Sequence, residues 1–392
     1  MATATAELRS PCTDAMVSSR IRCLAALIIA ATAHLVPAVQ SPSSRAKDLH
    51  DRALELERRG NVAAALSLLW EAAGIDPADG TIQNDLGAAL ERIGALDAAA
   101  DAYRMAAAAR PAVGSAERNL VLVLVKAGRS SEAIARAKTE VERAPTDADR
   151  WFTLGLAQAD VDVGGAADSF RHALALDPRH GLAQYNLALV LDRADRVDAA
   201  LDALRAAQSI QRRPEISYTF GNIYWHQGDS DRAITALTDA TTAKPDYTEA
   251  LLLLGTVESA RGNVTSATSA LQRAIRLRPD LAAPHVVLAR VLMVTGDRAG
   301  AGRESAEAER LRRESEDAQT AATLTAAGVQ QYDAGHPSAA VDCFRRAVQA
   351  FEAFAPAHYQ LGRALEGLGQ HDAARKEFAR AQQLNRALLP PR

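Results

Sequence analysis

A period of 34 residues runs through most of the chain and constrains its fold more than any other feature. Prolines recur at this spacing, and so do glycines, at Pro77, Pro111 and Pro145 and at Gly60, Gly94 and Gly128. Ten units result: 46–79, 80–113, 114–147, 148–180, 181–213, 214–247, 248–281, 282–315, 321–354 and 355–388. Such a period predicts stacked supersecondary units that share one core, where a length of 392 residues alone would suggest two or three globular domains.

Each unit reads as two helices joined by a tight turn. The first helix fills about fourteen positions, and position 15 is glycine in eight of the ten units. Glycine ends helices because it adopts the left-handed conformation without strain. A proline at position 32, as at Pro178, usually ends the second helix, since the residue before proline is biased away from the helical region.

Small side chains recur where the two helices must cross. Position 20 is alanine in all ten units: Ala65, Ala99, Ala133, Ala166, Ala200, Ala233, Ala267, Ala301, Ala340 and Ala374. Larger apolar residues occupy position 7, as in Leu154, and position 24, as in Phe170. Small residues at a crossing with large ones around it let helices approach without leaving voids.

These residues resemble the signature of the tetratricopeptide repeat (TPR) family. The fourth unit carries it as Trp151, Leu154-Gly155, Ala166, Phe170, Ala173 and Pro178, and the sixth as Tyr218, Phe220-Gly221, Tyr224, Gly228, Ala233, Ala240 and Pro245. The resemblance covers residues 46–388 and implies an all-α fold, a TPR superhelical solenoid of antiparallel helix pairs. We expect a linker at 39–45, a main array of eight repeats at 46–315, a helical insert at 316–320, a C-terminal pair at 321–388 and a tail at 389–392.

The segment around the insert predicts one long helix. No glycine or proline occurs between Arg303 and Ala327. Acid–base pairs such as Glu309 with Arg312 or Arg313 fall at helical spacing. This charged helix is either solvated or a surface for self-association.

The first 38 residues are typical of a secretory signal peptide. Arg20 and Arg22 precede an apolar run, and Val36-Pro37-Ala38 supplies small residues near a cleavage point. The run from Ile21 to Val39 also has the length of a membrane anchor, so an uncleaved N-terminal helix is the alternative. A start at Met16 instead of Met1 would give the leader a more usual length.

The rest of the composition favours an interaction protein over an enzyme or a nucleic-acid binder. The chain has 45 basic and 48 acidic residues, which is the wrong balance for binding by phosphate neutralisation. No phosphate-binding loop, nucleophile elbow, metal-ligand pattern or cysteine pair occurs, so the sequence predicts no catalytic residue, no metal and no cofactor. Nucleic acid is not expected as a partner.

The TPR resemblance implies that the first helices line a concave groove, with ligand contacts at positions 2, 5, 6, 9, 12 and 13. In units 3 to 6 these positions hold a concentration of aromatic and amide side chains: Arg118, Asn119, Phe152, Tyr185, Asn186, Tyr218, Asn222, Trp225 and His226. Aromatic rings cover apolar side chains, and asparagine pairs with both backbone groups of an extended peptide. The alternative is that these rings only fill a tight inner radius.

The sequence thus predicts a non-enzymatic TPR scaffold that binds a protein or extended peptide. The leader places it in the periplasm or cell envelope of a bacterium, with membrane contact only if the leader stays uncleaved. Two alternatives remain: a structural module that self-assembles into homo-oligomers, and a subunit that presents substrate to a separately encoded envelope enzyme.

Overall fold

The computed structural model describes residues 41–109 and 114–385. Within these ranges the chain forms nineteen helices and no strand. Contacts divide it after Ala116 into two compact units.

The first unit contains α1 Pro42–Arg58, α2 Val62–Ile75, α3 Gly80–Arg92 and α4 Leu96–Ala108; α5, Ala116–Lys126, begins at the boundary. The second unit continues with α6 Ser130–Arg143, α7 Ala148–Gln158, α8 Val163–Leu176, α9 Gly181–Arg193, α10 Val197–Ile210, α11 Pro214–His226, α12 Ser230–Ala243, α13 Thr248–Ala260, α14 Val264–Leu277, α15 Ala282–Val294, α16 Arg298–Asp333, α17 Pro337–Ala350, α18 Ala355–Gly367 and α19 His371–Leu384.

Most consecutive helices pack in pairs, and within each unit neighbouring pairs pack against one another. In the second unit α7 packs on α8, α9 on α10, α11 on α12 and α13 on α14. The second helix of one pair also contacts the first helix of the following pair, as α8 contacts α9 and α12 contacts α13. The predicted fold class, all-α with tandem antiparallel helix pairs, is therefore confirmed.

The turn within most pairs depends on a left-handed residue, whereas Asp162 in the turn of the fourth repeat has φ of −144°. Eight glycines at position 15 have φ between +73° and +84°, including Gly228 before α12. The fifth repeat lacks this glycine, and Asp195 takes its place with φ of 57°. Aspartate tolerates this region better than most residues because its short side chain bonds locally.

The helix crossings are as close as the alanine pattern predicts. Ala233 is fully buried where α11 meets α12. A Cβ atom added to Gly221 on α11 would lie 2.5 Å from Cγ of Leu237 on α12. The small residue at position 8 is thus required by the neighbouring large one.

The predicted long helix is confirmed and extends further than the sequence indicated. Helix α16 has 36 residues and absorbs both the second helix of the eighth predicted repeat and the first helix of the ninth. Glu309 bonds to both Arg312 and Arg313, with nitrogen–oxygen distances of 3.0 Å. No residue between Leu311 and Ala321 is buried, so the middle of α16 is solvated.

The leader at 1–38, the start of the linker and the tail at 389–392 lie outside the described residues. In the part of the chain that the structure describes, no helix has both the length and the hydropathy needed to cross a membrane. The predicted boundaries between array, insert and C-terminal pair stay predictions.

Candidate functional site

Three tyrosines from the fifth and sixth repeats come together on the second unit. Tyr185 lies on α9, Tyr218 on α11, and Tyr247 in the linker that leads into α13. The rings of Tyr218 and Tyr247 are 5.3 Å apart between centroids and inclined at 45°. All three are half-buried, so each keeps an exposed part. We call these residues the tyrosine cluster.

A hydroxyl chain ties the first tyrosine to α11. Thr219 Oγ1 donates its single proton to the Glu215 carbonyl oxygen at 2.9 Å. The Tyr185 hydroxyl therefore donates to Thr219 Oγ1, at 3.2 Å. This bond fixes the edge of the Tyr185 ring against the next repeat.

The environment of Tyr247 disfavours its charged form. Burial is the main cause, and the nearby Tyr185, Tyr218, Glu215 and Glu249 add to it, which together raise the pKa of Tyr247 to about 12. The Lys244 ammonium lies 4.9 Å from the centre of the Tyr247 ring. The phenol thus stays neutral and available as a hydrogen-bond donor at ordinary pH.

Phe152 is placed differently from the tyrosines. Its side chain is only 6% exposed and packs between Phe170, 5.8 Å away, and His180, 4.7 Å away. His180 accepts from the Ala183 N–H through Nδ1, so its Nε2 donates to Asp149 at 3.1 Å. Phe152 offers little surface to a ligand, and its ring helps to hold α7 against the start of α9.

Two of the three predicted asparagines already have partners within the protein. Asn186 donates to the carbonyl oxygen of Leu182 at 2.8 Å, which occupies its amide within α9. Asn119 is half-buried on α5 and has a partner, while Arg118 beside it is exposed. Asn222 is half-buried on α11 and forms no hydrogen bond with any residue in 41–109 or 114–385. Only Asn222 therefore presents an unused amide beside the tyrosine cluster.

The last two predicted residues close the C-terminal end of α11. Trp225 is half-buried and packs, with Tyr218, against the core that holds Leu237 and Val257. His226 is exposed. Burial raises the pKa of the Asp192 carboxyl on α9, and the charge of His226 opposes that shift. The structure thus groups Tyr185, Tyr218, Asn222, Trp225 and His226, with Phe152 buried and Arg118 and Asn119 on α5.

Sequence reasoning missed two features of this surface. Tyr247 lies at position 34 of its repeat, in a linker outside the positions inspected. On α15, Val286, Met293 and Val294 are exposed at positions 5, 12 and 13, the same positions that gave Tyr218, Trp225 and His226. Their repeat positions could have indicated them, but these residues are apolar without being aromatic, and the prediction rested on aromatic and amide side chains.

The side chains of the site offer surface chemistry. Across the described ranges, no three histidine, cysteine, aspartate or glutamate side chains are arranged to hold a metal ion. What the tyrosine cluster and Asn222 supply is ring surface, hydroxyl donors and one amide.

Tandem helix pairs with a row of side chains along the first helices define a helical-repeat scaffold. A family model described as tetratricopeptide repeat matches residues 50–113, 162–215, 218–282 and 325–387. Because these segments make up more than half of the chain, the protein belongs to the TPR family.

Several solved structures are similar to this chain. A TPR protein from Parabacteroides merdae is 16% identical with a TM-score of 0.50, over 64% of this chain and 99% of that one. MamA from Desulfovibrio magneticus RS-1 is 25% identical with a TM-score of 0.37, over 43% and 96%. YrrB, described as a TPR protein with an unusual peptide-binding site, is 18% identical with a TM-score of 0.40, over 45% and 91%. The first of these shows the shared fold. No curated protein matches the chain in sequence.

Proposed function

We propose that this protein is an exported, non-enzymatic scaffold that binds a protein or extended peptide along the first helices of its repeats. The TPR fold supports a protein-interaction role in general. The observation that carries the specific proposal is the tyrosine cluster, in which the fifth and sixth repeats bring three half-exposed rings together beside the unused amide of Asn222.

The chemistry of the cluster suits an extended segment. Tyrosine rings provide apolar area at low conformational cost, and their hydroxyls bond to a backbone. Asn222 offers both a donor and an acceptor, which a peptide unit matches. Because the helices are already formed, binding pays little for ordering the receptor.

A capture experiment tests this role. Tyr218→Ala combined with Trp225→Ala removes two rings, and we expect the immobilised variant to lose the partners that the wild-type protein retains from its native source. Trp70→Ala is the matched control, because Trp70 is 52% exposed on α2 of the first unit. Its capture should equal that of the wild type.

Both rings in the double variant also pack against the core, so its melting temperature should fall while its helicity by circular dichroism stays. A second variant avoids this cost: Asn222→Ala with His226→Ala changes side chains that are half-buried and exposed. Retention of the same partners by both double variants would refute the proposal that the cluster binds them.

The exported location rests on the order of basic, apolar and small residues in the leader. We propose the periplasm or cell envelope of a bacterium as the compartment. N-terminal sequencing of the protein from fractionated cells tests it. A mature N-terminus near residue 39 supports cleavage, an intact leader in the membrane fraction supports the anchor, and an intact leader in the cytosol contradicts export.

A further inference from the structure

Helix α15 carries an exposed apolar patch that the function above does not use. Val286, Met293 and Val294 are 47%, 56% and 78% exposed. They are seven and eight residues apart, which places them on one side of a helix with 3.6 residues per turn. We call these three residues the α15 patch. Contiguous exposed apolar side chains of this size mark interaction sites.

The α15 patch continues the surface of the tyrosine cluster. Val286 holds on α15 the repeat position that Tyr218 holds on α11, and Met293 and Val294 correspond to Trp225 and His226. Helix α11 contacts α13, and α13 contacts α15. The corresponding residues of α13 are Ser259 and Ala260, whose small side chains leave a path between the two sets: Trp225 and His226, and Met293 and Val294.

One cation lies within the patch. Arg290 follows Val286 by four residues and precedes Met293 by three, so the three side chains share a face. Arg290 is exposed and forms no ion pair with any residue of 41–109 or 114–385. An unpaired guanidinium among apolar side chains favours a ligand that brings a carboxylate together with an apolar group.

We propose that the α15 patch and Arg290 bind an apolar residue of the partner that has an acidic residue, or a terminal carboxylate, next to it. The proposal rests on the function proposed above and specifies the partner's chemistry. Neighbouring helices lie about 8–10 Å apart, so the patch is roughly 16–20 Å from the corresponding residues of α11. An extended chain covers this distance in about five or six residues. The apolar–acidic pair therefore lies that far from the residue that contacts Tyr218 and Trp225.

A random 16-residue peptide library displayed on phage, selected on the full chain, tests the proposal. We expect enrichment of an apolar–acidic pair about five or six residues from a second conserved position. A synthetic peptide of the selected sequence is then titrated by fluorescence anisotropy. Val286→Asn with Met293→Gln should weaken its binding about tenfold or more, since each side chain buries substantial apolar area. Arg290→Gln should reduce both the affinity and its dependence on salt.

Val161→Asn is the matched control, because Val161 is 60% exposed in the turn before α8. It should bind the peptide as the wild type does. If Val286→Asn with Met293→Gln also binds normally while Tyr218→Ala with Trp225→Ala does not, the proposed patch is wrong and the proposed function stands. If neither double variant loses the peptide, both proposals fail. If sedimentation shows a wild-type dimer that the α15 variant abolishes, a second copy covers the patch and this proposal is overturned.

Discussion

Substituting Gly221 and Leu237, singly and together, measures how closely α11 and α12 cross beneath the tyrosine cluster. Leu237 is fully buried, and a Cβ atom on Gly221 would lie 2.5 Å from its Cγ and 2.8 Å from its Cδ2. These distances are too short for two carbon atoms, so one side chain must move. The same helix carries Tyr218, Asn222 and Trp225, which makes the crossing relevant to the site.

The magnitudes follow from two opposing terms. Leu237→Ala leaves a cavity and should cost about 2–5 kcal/mol. Gly221→Ala alone gains about 1 kcal/mol in helix propensity but pays about 1–3 kcal/mol for overpacking. In the Leu237→Ala background the overlap is absent, so Gly221→Ala should stabilise by about 1 kcal/mol. In the double-mutant cycle, the two substitutions together should therefore destabilise by about 1–3 kcal/mol less than the sum of their separate effects.

Urea unfolding followed by far-ultraviolet circular dichroism provides the free energies, analysed with a nearest-neighbour model because repeat arrays need not unfold in one step. Gly302→Ala is the control: this exposed glycine of α16 has open space around its added Cβ. It should stabilise by about 1 kcal/mol in both backgrounds. If Gly221→Ala changes the free energy of unfolding equally with and without Leu237, the claim that contact with Leu237 limits how closely α11 and α12 cross is refuted.

Three further outcomes are expected. The hydrogen bond that His50 Nε2 donates to the Asp85 carboxylate, at 2.7 Å, raises the pKa of His50. The stabilisation is therefore complete below about pH 6.5 and is lost as pH rises through the raised value. Asp85→Asn should flatten this dependence of the melting temperature on pH, and an unchanged slope would contradict it. Tyr247→Phe should remove a tyrosine that ionises near pH 12 in an ultraviolet titration, whereas an unaltered alkaline step would assign that pKa elsewhere. Ser315→Pro should lower the free energy of unfolding by about 3 kcal/mol or more and reduce the helicity, because proline interrupts the backbone hydrogen bonds in the solvated middle of α16. Full helicity of that variant by circular dichroism would argue against one continuous helix.

The helix pairs were predictable because their requirements are local and repeated. Ala233 and its counterparts are alanine since a larger side chain would separate the crossing helices, and this constraint is visible as a period. The turn of the fifth repeat shows the limit of such a pattern, because Asp195 replaces glycine and still adopts the left-handed conformation.

The site was less predictable because a repeat position does not decide exposure. Phe152 and Tyr218 share position 5, yet His180 and Phe170 enclose one ring while the other remains half-exposed. Phe170 lies on the second helix of the same repeat as Phe152, and His180 lies in the linker that follows that helix. Tyr247 joined the cluster from a linker, where no helical position could indicate it.

The solvated middle of α16 also separates the protein energetically. Neighbouring repeats share stability through buried faces, but no residue between Leu311 and Ala321 is buried, so backbone hydrogen bonds and exposed ion pairs carry the coupling across this stretch. A ligand held by the tyrosine cluster should slow amide hydrogen exchange in α11 and α13 and leave exchange in α17 to α19 unchanged. Helix α16 would then weaken the energetic coupling between its two ends, so that the last three helices keep their own melting behaviour while the others respond to a partner.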